Sequence, residues 1–341
     1  MTFPPSTPSD PTASDVTASA GPRGLADRLA AWAGADALRG AVADLLMAMA
    51  EGGRVVAGRL AEGALHGDPA GLVGTNSDGD AQKALDLYAH DVFVGTCLAA
   101  GAAVVGSEEA EAAIAGDPAG RAAIAFDPID GSSHLGLAAA CGTLFSVMPA
   151  GADPFRRPGR DQLAAGYLVY GPEVVFGFTV GEDVELFTLD AASSEFRANP
   201  PLPPLPAATA EIGVDLSFLR HWRRRERDYV AECLAGADGP RGADVRLRWS
   251  MAAVIDLHRI LLRGGIFILP ADERPGNRHG RLRHVYEVAP MALLIEAAGG
   301  RADDGEGHAI LDRVPESLHA RAPLVAGSRA EVERYLSFPG E

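Results

Sequence analysis

An apolar run, Ala122-Ala-Ile-Ala-Phe126, ends directly in Asp127-Pro-Ile-Asp-Gly-Ser-Ser133, and this junction constrains the fold more than any other segment. Apolar residues without polar interruption read as a buried strand. The two aspartates then project from the strand's carboxyl end, where open α/β sheets place their ligands. Pro128 stiffens the turn, Gly131 lets backbone amides turn toward an anion, and Ser132 and Ser133 add hydroxyl donors. Metal and phosphate could meet there. An ordinary strand-to-helix turn would use the same Asp-Gly corner without any ligand.

Further oxygen ligands arise elsewhere in the chain. Glu108 and Glu109 follow a second apolar run, Ala102-Ala-Val-Val-Gly106. Asp80 and Asp86 belong to a polar loop that runs into a predicted amphipathic helix with Leu85, Tyr88 and Val92 on one face. Taken singly, Asp80 reads as a helix cap and the two glutamates as solvated surface charge. Carboxylates without histidine or cysteine partners suit magnesium or manganese rather than zinc.

A chain of 341 residues, 47% of them hydrophobic, can hold two domains with a sizeable core. The net charge of −16 disfavours nucleic acid and anionic membrane as partners, since both would repel it. An acidic chain that binds phosphate must gather positive charge locally, and the runs Arg220 to Arg227 and Arg278 to Arg283 are candidate sources. Most of the first run is expected to be a solvated helix face. No apolar run approaches a membrane span. The first residues, rich in Pro, Ser, Thr and Ala, read as a disordered tail over 1–24 rather than a signal peptide, and the expected compartment is the cytoplasm. Cys97, Cys141 and Cys233 are odd in number and widely spaced, which argues for core positions rather than disulfides or a zinc site.

Periodicity predicts helices over 36–63 and 81–100, and strands over 102–106, 122–126, 142–149, 165–170, 174–180 and 184–189, the later ones as an antiparallel meander. Five prolines between Pro200 and Pro206 then break the chain, which places a domain boundary near residue 206. The expected domains are thus 25–205 and 206–341. The second is predicted to hold helices near 222–234, 252–263 and 288–298, a buried strand over 264–269, and a strand and helix after Ala322.

Read together, Asp-Pro-Ile-Asp-Gly-Ser-Ser, Gly106-Ser-Glu-Glu109 and Gly79-Asp-Ala-Gln-Lys-Ala-Leu-Asp86 resemble the motifs of class I fructose-1,6-bisphosphatase. Gly264 to Pro270, Gly280 to Met291 and Glu296 to Gly300 resemble the C-terminal segment of that family in the same order, so the likeness runs from about Asp36 to Tyr335. The resemblance implies a layered α/β sandwich of two α/β domains and hydrolysis of the 1-phosphate of fructose 1,6-bisphosphate. It implies two or three magnesium ions, manganese being possible, held by Asp80, Glu108, Asp127, the Ile129 carbonyl, Asp130 and Glu287. Asp86 and Glu109 match the positions that orient or deprotonate the attacking water, with the base unassigned between them. Gly131, Ser132 and Ser133, with Asp130, would grip the phosphate to be cleaved. A homotetramer follows from the same likeness, with Arg248 matching an arginine lent to the neighbouring subunit.

The distal phosphate site departs from the family pattern. Asp215, Trp249 and Leu269 stand where the family has an asparagine and two tyrosines, Arg281 stands for a lysine, and His134 for an asparagine. A related sugar phosphatase, such as one for sedoheptulose 1,7-bisphosphate, is therefore an alternative, and a non-catalytic sugar-phosphate-binding protein is a third. Arg220-His-Trp222 and Gly239 to Gly242 resemble the carbon-fixing bacterial branch. Arg121 and Ala122 replace the Lys-Tyr pair of AMP-inhibited members, and a threonine-containing helix start near Asp36 is not evident.

Overall fold

The computed structural model describes residues 24–75 and 81–340, excepting the side chains of Thr75, Ala81 and Gln82. Asp80 and the expected tail lie outside the described residues, apart from Gly24, which bridges to Arg197. Helices α1 (Leu25–Ala33) and α2 (Ala37–Ala61) come first, and only the second is marked in the sequence pattern. The hairpin of β1 (Leu72–Thr75) and β2 (Ala81–Lys83) leads into α3 (Ala84–Ala99). Strands β3 (Val104–Ser107), β4 (Ile114–Ala115), β5 (Ala122–Asp130), β6 (Cys141–Pro149), β7 (Ala164–Tyr170), β8 (Val174–Thr179), β9 (Val184–Asp190) and β10 (Glu195–Ala198) build one sheet in the order β10-β9-β8-β7-β6-β5-β3-β4. From β5 to β10 the sheet is the expected antiparallel meander, while β3 runs parallel to β5.

Residues 199–206 carry no helix or strand, as their prolines require. The second half follows as β11 (Glu211–Val214), α4 (Arg224–Ala235), β12 (Arg246–Leu247), α5 (Ala253–Arg263), β13 (Ile266–Leu269), β14 (Leu282–Arg283), α6 (Ala289–Ala297), β15 (Arg301–Asp303), β16 (Arg321–Ala322), β17 (Leu324–Gly327) and α7 (Arg329–Leu336). A second sheet has the order β12-β11-β13-β17-β15, and β14 pairs with β16 alone.

Strand alternation sorts the buried side chains into layers. Phe145, Val147, Leu168 and Phe176 point from the first sheet to α2 and α3, and their neighbours Leu144, Tyr167, Val169 and Val175 point to α5 and α6. Phe267, Leu324 and Ala326 of the second sheet close that middle layer from beyond, and Ile212, Ile266, Ile268 and Val325 face Tyr229, Val230, Val332 and Tyr335 of α4 and α7. The fold is thus a layered α/β sandwich in which helices alternate with sheets. Both sheets are covered on both sides, which explains the long apolar runs.

Two local expectations need correction. The buried stripe of α3 is Leu85, Ala89, Phe93 and Cys97, whereas Tyr88 is 37% exposed. Spacing of four sets that stripe, and small Ala89 carries little signal in the sequence. The motif strand does not stop at Phe126 but continues through Asp130 with an irregularity between Asp127 and Asp130, and a short 3-10 turn at Ser132–His134 follows in place of a regular α-helix. The three cysteines are free and buried, and among the described residues no helix is long and apolar enough to cross a membrane.

Candidate active site

The parallel pairing of β3 with β5 sets Ser107 opposite Phe126, and the Glu108 amide donates to the Phe126 carbonyl at 3.1 Å. Glu108, just past the end of β3, and Asp127, within β5, therefore lie side by side. Asp127 accepts the Ile129 amide at 2.9 Å, and Thr143 donates its hydroxyl to the Pro128 carbonyl at 2.8 Å, so the bulge is held from both sides. Asp130 accepts the Val254 amide at 2.7 Å at the start of α5, where the helix N-terminus favours negative charge. Glu287 comes from one widened π turn, His284–Val288, and accepts the Arg283 amide at 2.6 Å. These three buried carboxylates, Asp127, Asp130 and Glu287, each offer an oxygen within 4.8 Å of the others.

Glu108 adds a fourth negative charge, with the Arg283 guanidinium 3.2 Å away. Burial first, then repulsion from Glu108, pushes Asp127 and Glu287 well above the usual carboxylate range. Burial likewise pushes Asp130 up to about 7, against the opposing pull of the Val254 amide. Asp86 is pushed to about 7 by burial, with Glu109 and Glu108 adding to it and the Lys83 amide opposing it. One Asp86 oxygen is buried without a hydrogen-bond partner among the described residues. Like charges gathered in a low-dielectric site take up protons unless a cation replaces them. An all-oxygen donor set with this shortage of positive charge fits a hard divalent cation.

Gly131 has φ +80°, and a Cβ there would lie 2.5 Å from the Ala252 Cβ, so only glycine lets the loop approach the start of α5 this closely. Ser132 is half-buried and Ser133 exposed. Lys83, the chain's single lysine, donates its Nζ to the Ser132 carbonyl, a contact the motif reading missed. His134 is buried with Nδ1 2.6 Å from the Ala140 carbonyl and fastens the loop that follows the serines. Within the Arg278 to Arg283 run, Arg283 is the member that reaches the carboxylates. In the other run, Arg224 pairs with Asp228 at the surface as expected and Arg223 with Glu306, whereas Arg225 is largely buried, pairing with Glu306 and donating to the Phe338 and Gly305 carbonyls.

The residues expected at a distal phosphate divide into two groups. Asp215, Leu269 and Arg281 line one small cavity with Phe218, Asp272 and Arg274. There Asp215 caps a 3-10 turn by accepting the Ser217 amide at 3.1 Å, and Arg274 and Arg281 lie over the Phe218 ring at 3.7 and 5.2 Å. Trp249 instead stacks on Phe267 at 5.7 Å and packs against the middle layer. Arg248 is exposed, with its Nε 3.6 Å from Glu211. Arg274 and Phe218 belong to no motif, and no sequence signal singled them out.

Family models for the N-terminal and C-terminal domains of fructose-1,6-bisphosphatase match residues 32–200 and 205–339. The chain is 47% identical over 303 residues to a class 1 fructose-1,6-bisphosphatase of Brucella anthropi, and 46% identical to one of Brucella suis, covering 89% of each chain in both cases. Among solved structures, the holo form of Leishmania major fructose-1,6-bisphosphatase is similar with a TM-score of 0.86 at 30% identity, covering 93% of this chain and 99% of that one. The T-state structure of the same enzyme has a TM-score of 0.81 at 28% identity over the same shares. With both domains matched in order and the acidic cluster formed, the chain belongs to the class 1 fructose-1,6-bisphosphatase family.

Proposed function

We propose that this protein is a magnesium-dependent phosphatase that hydrolyses the 1-phosphate of fructose 1,6-bisphosphate, releasing fructose 6-phosphate and phosphate. The observation that carries the reading is the cluster of buried carboxylates Asp127, Asp130 and Glu287 beside the Gly131 to Ser133 turn. Asp127, Asp130, Glu287, Glu108 and the Ile129 carbonyl would hold the metal, with Asp80 serving a further ion. Bound magnesium supplies Lewis-acid chemistry, neutralising phosphoryl and leaving-group charge and making a water more acidic. The backbone and hydroxyls of Gly131, Ser132 and Ser133 hold the phosphate to be cleaved. Lys83 keeps that turn in place through the Ser132 carbonyl. Asp86, poised near neutrality by burial, and Glu109 share the task of orienting the attacking water and taking its proton.

Arg281 and Arg274 are the cations available at the distal end of the sugar, with Asp215 and Leu269 shaping the cavity. Leu269 offers no hydroxyl where the family uses a phenol, which favours a second reading, a different sugar bisphosphate such as sedoheptulose 1,7-bisphosphate. The division into units 25–205 and 206–341 is part of the proposal, supported by the proline-rich break and the two family-model ranges. A cytoplasmic homotetramer is also proposed, in which exposed Arg248 reaches a neighbouring site. So is placement in the carbon-fixing branch. Phosphate release measured over a panel of sugar mono- and bisphosphates, with and without magnesium, tests the whole reading. Release confined to fructose 1,6-bisphosphate and dependent on magnesium is expected, and release without metal would sink it.

A further inference from the structure

We propose that a basic cleft beside the reaction site, between the loop before β14 and the loop before β16, is a second binding site for a small, multiply charged anion. This inference rests on the phosphatase reading only for the location of the neighbouring site. The cleft encloses about 630 Å³ and is walled by Arg278 and His279 on one side and by Arg313 and Arg321 on the other, with Glu316 its one carboxylate. A chain of net charge −16 pairs most of its arginines internally, as Arg28 does with Glu185 and Arg160 with Asp312. Neither Arg278 nor Arg313 has a carboxylate partner among the described residues. Arg278 and Arg313 therefore leave the cleft with positive charge that Glu316 offsets only in part, and an external anion relieves the remaining repulsion.

The walls are also held in advance of binding. Asp272 ties the first loop together by accepting from Arg274 and from the Asn277 side chain, the latter at 2.9 Å. Gly280 has φ +90°, and a Cβ there would lie 2.2 Å from the Ala322 backbone, so this loop sits directly on β16. The second loop is fastened by His319, whose ring nitrogens lie 2.8 Å from the Tyr286 hydroxyl and 3.0 Å from the Ala110 carbonyl. Preorganised donors lose little freedom when a ligand arrives. Arg321 is the ladder partner of Arg283, and directly opposed residues of an antiparallel pair share a face of the ladder. The cleft therefore adjoins the arginine that meets Glu108. A phosphate group or a polycarboxylate satisfies this chemistry.

Inorganic phosphate titrated into the full-length enzyme in magnesium, followed by calorimetry, tests the proposal. Three phosphates per chain are expected, two at the ends of the sugar-phosphate site and one in the cleft, and only the last is lost or weakened at least tenfold in the double variant Arg278→Gln/Arg313→Gln, whose kcat and KM for fructose 1,6-bisphosphate stay within twofold of wild type. Asp127→Asn should remove the phosphate at the metal cluster and leave the one in the cleft. Citrate titrated into the same proteins separates the two ligand classes, the tighter binder naming the class. A double variant that binds as many phosphates as the wild type, and as tightly, overturns the proposal. Failure of the phosphatase reading shows separately, as absent turnover.

Discussion

At the scale of single residues, the sequence declared the carboxylates but not their neighbours. Glu108 and Asp127 each directly follow an apolar run, so their proximity is legible in the sequence, although β5 continues past Asp127 and ends at Asp130. Lys83, Arg274 and Phe218 act through packing across distant segments and leave no local signature. The mutual repulsion in the cluster makes one variant diagnostic. Asp127→Asn removes a ligand, so kcat should fall more than about 100-fold. It also removes one of the charges that burial and Glu108 disfavour, so in chelator its Tm should equal or exceed that of wild type. Magnesium should raise the wild-type Tm and the variant's much less, because a ligand stabilises only the state that binds it. A variant that melts well below wild type in chelator would mean that Asp127 is structural. Asp215→Asn is expected to lower KM for fructose 1,6-bisphosphate while kcat holds within about twofold, since the change is remote from the chemistry. Asparagine can still accept from Ser217, and it withdraws the negative charge that now acts on Arg274. An unchanged or raised KM would show that the cavity does not receive the substrate's second phosphate.

At the scale of elements, the long helices and the central strands matched their expected ranges to within a few residues, because each presents a continuous apolar face. The short strands β1, β2, β4, β10, β11, β12, β14, β15 and β16 have no counterpart among the expected strands, since two to four residues give periodicity nothing to act on. The N-terminus of α2 has a consequence for regulation. Asp36 caps it by accepting the Leu38 and Arg39 amides at 2.8 and 3.0 Å, and its carboxyl is held below the usual range by those same amides and by Arg39 and Arg121. A carboxylate already fills the role that a nucleotide phosphate would take at this helix start. Together with Ala122 in place of the family's tyrosine, this predicts no inhibition by AMP below about millimolar concentration, because a ligand without differential contacts shifts no equilibrium. A steady-state assay with saturating magnesium and low-micromolar AMP checks it, and inhibition that substrate cannot relieve would refute it.

At the scale of the whole molecule, two sets of buried groups pull acid stability in opposite directions. Asp86 and Asp130 sit at about 7 in the fold against an ordinary value of 3.8, so without metal the folded chain holds protons that the unfolded chain releases. Their penalty is complete above about 7 and fades as pH falls toward 3.8. His258 does the reverse. It lies on α5 where the middle layer meets the first sheet, with Nδ1 2.8 Å from the Tyr167 hydroxyl, and burial lowers its pKa from 6.5 to about 4. Below 6.5 the unfolded chain takes up a proton that the folded chain refuses, so stability drains between pH 6.5 and 4, by roughly 3 kcal/mol at most. His258→Gln keeps a partner for Tyr167 and cannot titrate. Its difference in unfolding free energy from wild type should be flat above pH 7 and should shift in the variant's favour as pH falls toward 5, with the carboxylate contribution common to both proteins cancelling. Urea unfolding of the two chains in chelator at pH 8, 6.5 and 5 measures that difference. Parallel pH curves would show that His258 is protonated in the fold, and that the junction between sheet and middle helices admits water.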